Sequence, residues 1–359
     1  MRSMLTRARG WSRFFVIALA LHIPLFFYPI LRLCGWLELP LWLTLIIFIP
    51  LGSSQIVSRI FLRNMSARWA KWLRLVSDFW LGMSPLILLL LLIAEVVVFS
   101  GLLVPHTAAL VVIGLGLLLG FVGLVVAMVP VVKTIRFDSP NLKEPIRFVQ
   151  ITDVHIGSRS QSFLEAVVHK INKLEPDFVC ITGDFIDATG VLEAQLKSLK
   201  SIVGPTYFTI GNHEKYEDLD EILQRMDRLG VQILRNRAMM FRDDVQIIGI
   251  DDMDDAFQVK KQLRNISVQK SAFNVLMYHR PRGIEAAAEA EIDLMISGHT
   301  HNGQIFPFNL VVGRVFDKIV GMYEHGKARL YVSQGTGTWG PVMRLGTQSE
   351  ITLFEIKAV

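Results

Sequence analysis

Cysteine is scarce in this sequence: Cys34 and Cys180 are the two thiols in 359 residues. Two thiols cannot staple a disulfide framework, so nothing here calls for an oxidising compartment. Both lie in apolar runs, where cysteine serves as a small core residue. No internal repeat or low-complexity tract is present, which excludes repeat architectures. Charged residues are also few, 19% against 52% hydrophobic, a balance too apolar for an ordinary soluble chain of this size. The net charge of +5 does not imply nucleic acid. Many of the basic residues flank apolar spans, and the polar half carries no long basic stripe with interleaved aromatics.

The apolar excess lies almost entirely before about residue 132, so the chain reads as a membrane part followed by a globular part. A spanning helix needs about 20 mostly apolar residues. Four segments are candidates: about Phe14 to Leu33, Leu37 to Gly52, Trp80 to Ser100 and Thr107 to Val132. His22, Pro24 and Pro29 interrupt the first, and the second is short. The first follows Arg2, Arg7, Arg9 and Arg13 like a signal peptide, but no small-residue cleavage site follows it. Arg59, Arg63, Arg68, Lys71 and Arg74 fill the long loop between spans two and three, and the short turn near Val104 has no Lys or Arg. Four crossings and this charge bias agree in placing the C-terminal part in the cytoplasm, with an integral position in a bacterial inner membrane expected. Glu95 sits a few residues from the end of its span, and an interfacial position is expected for it.

After Pro140 and Pro145, short apolar runs alternate with amphipathic stretches. Strands are expected at Ile146 to Ile151, Phe178 to Ile181, Tyr207 to Ile210, Val245 to Ile250, Asn274 to Met277, Leu294 to Ile296, Arg329 to Ser333 and Ile351 to Ile356. Helices are expected at Phe163 to Leu174, Leu192 to Ile202 and Leu219 to Leu229. The alternation implies an α/β sheet domain over 141–359, after a transmembrane helical region over 1–140.

Five of these strands end in Asp, His or Asn: Asp153 and His155, then Asp184, then Asn212 and His213, then His279, then His299 and His301. The carboxyl ends of strands are where open α/β sheets place ligands. The set offers oxygen and imidazole nitrogen but no thiolate, which suits Mn, Fe, Zn, Ni or Mg rather than a structural zinc site. In extended backbone, residues two apart face the same way, so Asp153 and His155 can share a cavity, as can His299 and His301. Asp184 can bridge two cations, and Asn212 supplies a neutral oxygen. Two divalent ions would leave one need, a proton for the leaving alkoxide. His213, beside Asn212, is placed to give it or to stabilise charge on that oxygen.

The ordered set Asp153-x-His155, Gly183-Asp184-x-x-Asp187, Gly211-Asn212-His213-Glu214, His279 and Gly298-His299-x-His301 resembles the calcineurin-like metallophosphoesterases. The segments Gly249 to Asp252 and Gly298 to Ile305 look more narrowly like the YkuE-type membrane-tethered branch. The resemblance covers about Ile146 to Ile356 and implies a four-layer α/β/β/α sandwich. It also implies one metal on Asp153, His155, Asp184 and His301, a second on Asp184, Asn212, His279 and His299, and a catalytic His213 that holds no metal.

A hydrogen bond in the loop or to a ligand, rather than a metal contact, is expected of Asp187. The acidic run Asp251, Asp252, Asp254 and Asp255 reads as a solvated loop, with a place at the substrate rim as the alternative. Arg159 is a candidate for a substrate phosphate, with a surface position as the alternative. The glycines flanking Trp339-Gly340-Pro341 suit either close approach to the site or a plain connection. The functional expectation is a membrane-anchored hydrolase of a phosphodiester, pyrophosphate or phosphomonoester. Its anchor suggests a lipid-linked substrate, and the resemblance makes UDP-2,3-diacylglucosamine a concrete instance. The alternatives are a catalytically silent membrane sensor or scaffold and, last, a nuclease.

Overall fold

The computed structural model describes residues 20–62, 65, 67–188 and 190–359, and the chain divides into two compact units, Met1–Val122 and Gly123–Val359. In the first unit a π-helical turn at Ile23–Phe27 leads into α1 (Tyr28–Trp36), followed by α2 (Leu41–Ile56) and α3 (Arg68–Phe99). The next helix, α4 (Pro105–Met128), begins in the first unit and ends in the second.

Three helices among the described residues are long and apolar enough to cross a membrane: Leu41–Phe61, Arg68–Phe99 and Pro105–Met128. Part of the first expected span, residues 14–19, lies outside the described residues. Its described remainder, Ala20–Trp36, is a shorter apolar helix. The last span stops at Met128, and Val131 and Val132 belong to a strand instead. Glu95 is not left unpaired: Arg32 grips it through Nε at 2.5 Å and Nη2 at 2.8 Å, and the Tyr28 hydroxyl donates to it at 2.8 Å.

In the second unit the strands are β1 (Val131–Ser139), β2 (Ile146–Ile151), β3 (Phe178–Thr182), β4 (Thr206–Thr209), β5 (Gln232–Ile233), β6 (Arg237–Arg242), β7 (Val245–Ile250), β8 (Phe273–Tyr278), β9 (Leu294–Ser297), β10 (Gly321–His325), β11 (Ala328–Val332) and β12 (Glu350–Ala358). They form two six-stranded sheets. Sheet I runs β1-β12-β2-β3-β4-β5, and sheet II runs β10-β11-β9-β8-β7-β6. β1 lies ahead of residue 140 and pairs in parallel with β12 from Val131↔Glu350 to Ser139↔Ala358.

The sheets pack face to face because their inner residues are apolar. Phe148, Phe178 and Phe354 stack with centroids 4.7 Å apart in a core shared with Ile247, Val275 and Leu294. Each such side chain contributes roughly 1.5–3 kcal/mol by leaving water. The outer faces are apolar as well, so helices must cover them. The amphipathic α5 (Gln161–Asn172) and α6 (Leu219–Arg228) bury Leu164, Val167, Ile171, Ile222 and Met226 against sheet I. Their first turns are capped by Ser160, which accepts from the Phe163 amide, and by Asp218, which accepts from the Glu221 amide. On sheet II, α7 (Gln258–Leu263) and α8 (Ile284–Glu289) place Val259, Ile284 and Ala287 over Ile248 and Leu276. The layers are α/β/β/α.

Strands β2, β3 and β4 are mutually parallel in sheet I, and β7, β8, β9 and β11 are parallel in sheet II. Their carboxyl ends meet across the core. There the Gln150 amide donates to the Ser297 carbonyl at 3.1 Å, and the Thr209 hydroxyl to the Ile250 carbonyl at 3.0 Å.

Candidate metal centre

The loops after β2, β3 and β4 come from sheet I, and those after β8 and β9 from sheet II. Backbone bonds knit them together. The Asp153 amide donates to Gly183, the His155 amide to Asp184, and the Gly298 amide to His279, at 3.1, 3.1 and 2.9 Å. This brings together two trios of donor side chains, Asp153 with His155 and His301, and Asp184 with His279 and His299. Within each trio the candidate ligand atoms lie within 4.8 Å of one another. Each trio takes at least one carboxylate from sheet I and at least one imidazole from sheet II. All six residues are buried except His299, which is partly so.

The backbone is bent to achieve this. Asp153, His155, Asp184, His299 and His301 have φ of 53°, 56°, 50°, 71° and 49°, a left-handed region that costs non-glycine residues roughly 1–3 kcal/mol each. The flanking glycines answer a different constraint, space. A Cβ on Gly211 would land in the Asp184 carboxylate, and one on Gly298 would land between Asp153 and Thr152.

The ring orientations are set from behind. The His279 Nδ1 is 2.9 Å from the Thr182 carbonyl, the bond expected of an Nδ1–H, which turns Nε2 toward Asp184 Oδ2 at 3.0 Å. His155 Nδ1 is 3.3 Å from Asp187 Oδ2, and Asp187 in turn accepts from the Ser158 amide and hydroxyl at 3.0 and 2.6 Å. Asp187 therefore orients a histidine. His155 Nε2 faces His301 Nε2 at 3.2 Å, and His299 Nδ1 faces His279 Nε2 at 3.2 Å. Asn212 Oδ1 is buried with no hydrogen-bond partner. Imidazole nitrogens crowded to within 3.2 Å of one another and an orphaned amide oxygen fit a divalent cation as the missing counterpart.

The electrostatics carry the same strain. Burial pulls the His279 imidazole down, yet the Asp184 and Asp153 carboxylates more than offset this and hold its pKa up to about 10. His299, buried beside the His279 charge, is held down to about 3, and burial holds His301 down to about 4. Burial would raise Asp184, but its histidine neighbours, His279 first, keep it well below the usual carboxylate range. His213 is the most open of these imidazoles. Its amide donates to Asp184 Oδ1 at 2.9 Å, its Nε2 is 4.0 Å from Asp184 Oδ2, and burial lowers its pKa.

Several residues take places the sequence pattern did not indicate. Asp252 is buried, not solvated, between Lys215 at 3.2 Å and Arg280 at 2.8 Å. Asp251 is likewise buried and pairs with Arg235 at 2.7 Å. Both carboxylates meet a cation, and such pairing is what lets charge leave water. Arg159 neither lies on the surface nor enters the centre. It is buried over the Phe163 ring, with Nη2 donating to the Ala127 carbonyl at 2.7 Å.

Two residues given no role by the sequence reading support the centre. Glu214 accepts from the amides of Asp184, Phe185, Ile186 and Gly211 at 2.6–3.1 Å, and so shapes the Asp184 loop. Arg344 is fully buried, 3.2 Å from His301 Nδ1 through Nη2, and it donates to the carbonyls of His301 and Gln334. Glu214 was within reach, since it ends the Gly211-Asn212-His213-Glu214 motif. Arg344 carried no local signal. The loop around Trp339 does approach the site: the Thr336 and Gly337 amides donate to Thr152 and Asp153, and the Trp339 ring lies 6.3 Å from His213.

The family model for calcineurin-like phosphoesterases matches residues 146–303. The chain is 32% identical to a metallophosphoesterase of Campylobacter jejuni, over 64% of this chain and 63% of that protein. It is 30% identical to a metallophosphoesterase of Aquifex aeolicus, over 59% of this chain and 85% of that protein. A transmembrane protein with metallophosphoesterase domain from Danio rerio is 28% identical, over 91% of this chain and 84% of its own length. The match to the Campylobacter jejuni and Helicobacter pylori relatives spans 63% and 64% of their length, a little under two thirds. The motif blocks, the sandwich that gathers their residues and these relatives agree: the chain belongs to the calcineurin-like phosphoesterase family, whose members are metal-dependent phosphoester hydrolases.

Proposed function

We propose that this chain is a membrane-anchored phosphoesterase that works with two divalent metal ions. Asp153, His155, Asp184 and His301 would hold one ion, and Asp184, Asn212, His279 and His299 the other, with Asp184 as the bridge. The observation that carries this reading is the convergence of two donor trios, joined where His279 Nε2 lies 3.0 Å from Asp184 Oδ2 and 4.0 Å from Asp153 Oδ1. When bound, the pair of ions supplies Lewis-acid polarisation of the phosphoryl oxygens and a nucleophile at neutral pH. The chain's own residues do the rest. His213, the imidazole with most access to solvent, presents a proton from Nε2 to the departing alkoxide. Thr182 and Asp187 hold His279 and His155 in the tautomers that leave Nε2 free.

The bond cleaved is a phosphodiester, pyrophosphate or phosphomonoester. The three apolar helices favour a substrate at a membrane surface, a lipid-linked ester of which UDP-2,3-diacylglucosamine is an instance. The cytoplasmic face of a bacterial inner membrane is the proposed location. Arg59, Arg68, Lys71 and Arg74 flank the loop between α2 and α3, and two further crossings return the chain to that side. This holds whether or not Ala20–Trp36 also crosses.

The test is hydrolysis of bis-p-nitrophenyl phosphate and p-nitrophenyl phosphate by the metal-reconstituted full chain, alongside Asp184→Asn and His213→Ala. Turnover of an ester that both variants lose is the expected result. Two bound metals with no turnover of either ester would leave a binding module and defeat the enzymatic reading.

A further inference from the structure

Beyond the metal centre, the second unit carries an apolar surface at its rim. Phe306, Phe308, Leu310, Val311 and Val315 are each 51–62% exposed within ten residues, and Trp339 is 57% exposed. Elsewhere between β1 and the last strand, exposed large apolar side chains among the described residues stand singly, as Leu192, Val203 and Met240 do, or as the pair Met253 and Phe257. A contiguous apolar patch on a folded domain marks a contact surface.

The patch touches the site at both of its edges. The His299 ring lies 5.2 Å from Phe316, just past the segment, and the His213 ring lies 6.3 Å from Trp339. The segment is zipped to the loop that follows Trp339. Gln304 donates to the Trp339 and Pro341 carbonyls at 3.1 and 2.9 Å, and the Phe306 amide donates to Leu345 at 2.9 Å. That same loop holds the end of α4 that belongs to this unit: the Arg344 amide donates to the Gly123 carbonyl at 2.9 Å, and Met343 packs on Gly123.

The chain itself indicates what covers the patch. α4 is long and apolar enough to cross a membrane and ends at Met128, and β1 starts at Val131. Met128 and Val131 are three residue steps apart, at most about 11 Å, so the strand starts close to the end of the apolar helix, and the loop beside the patch is bonded to Gly123 within that helix. We propose that the patch is a membrane-contact face, with Phe306, Phe308, Leu310, Val311, Val315 and Trp339 entering the bilayer interface beside the metal centre. Interfacial apolar faces of this kind sink roughly 5–10 Å into the headgroup boundary. Resting on the phosphoesterase reading, the inference also names the substrate class: a phosphate ester on a lipid headgroup, met by His299 and His213 at the membrane surface.

The test uses the full chain in nanodiscs of phosphatidylcholine and phosphatidylglycerol containing doxyl-labelled lipid. An environment-sensitive nitrobenzoxadiazole probe is attached at Leu310→Cys or, as the control, Val203→Cys. Cys34 and Cys180 are buried, which leaves the introduced thiol as the reactive one. The probe at 310 should emit to the blue and be quenched severalfold more than the probe at 203. Equal quenching at the two positions overturns the proposal. A blue-shifted probe at 310 without lipid quenching overturns it too, and would assign the face to another protein or a second copy. The readout needs no turnover. Loss of ester hydrolysis with quenching intact defeats the phosphoesterase reading and leaves the membrane face standing, and the converse removes only the face.

Discussion

One cluster of charged side chains in each unit invites comparison, because the two meet their hydrogen-bonding needs in opposite ways. In the helical unit Glu95 meets Arg32 through two nitrogens and the Tyr28 hydroxyl as well, so each acceptor has its donor. In the sandwich, carboxylates and imidazole nitrogens crowd together, and the Asn212 oxygen has no donor at all. The first cluster is closed and serves packing between helices. The second is left open, and five of its residues sit in costly left-handed backbone. Unmet hydrogen-bonding atoms, more than the presence of ionisable groups, separate the two clusters.

The sharpest way to break this contrast is to substitute one carboxylate in each cluster. Asp184→Asn should lower ester hydrolysis by about 10³-fold or more, because it removes the carboxylate proposed as the ligand shared by both ions. Glu95→Gln should leave turnover within about twofold, since that cluster does no chemistry. Equal losses in the two variants would erase the distinction.

A smaller effect concerns stability. Cation binding to the folded sandwich alone should raise its unfolding free energy by about 2.7 kcal/mol at a hundredfold excess over Kd. Thermal unfolding of the full chain, with metal and after chelation, reads this out. A transition indifferent to chelator would mean that the donor trios hold no cation.

The smallest effect is a proton. His279 is held protonated up to about pH 10 by its carboxylates in the absence of metal, and a ligand must be neutral. Metal binding between pH 6 and 8 should therefore release this proton, and affinity should rise about tenfold per pH unit. His299 and His301, held down to about 3 and 4, are already neutral there and add nothing to the slope. Calorimetric titration in buffers of different ionisation enthalpy measures the proton count, and a flat affinity across this range would contradict the assignment.

The strands legible in the sequence were β2, β3, β4, β7, β8, β9, β11 and β12. The four that escaped, β1, β5, β6 and β10, are the edges of the two sheets. An interior strand buried on both faces must be an unbroken apolar run, and β7 and β8 are buried at every position. An edge strand is half exposed and mixed in composition, as β6 and β10 are. β1 looked like the tail of a membrane helix because Val131 and Val132 continue the apolar run of α4. Its identity comes from β12, more than two hundred residues away.

What the sequence determined alone was the chemistry. Asp, His and Asn suit a hard or borderline cation, and strand ends carry them in a fixed order, so the blocks from Asp153 to His301 stand out in the sequence. What only the tertiary structure decided was everything that rests on distant partners. It decided which residues share a trio and that Asp252 is buried between Lys215 and Arg280. It decided that Arg344 stands behind His301, and that the apolar residues from Phe306 to Val315 face outward beside the centre. Local pattern encodes what a residue can do, but burial and pairing depend on which segments the two sheets bring together, and no short stretch of chain contains that information.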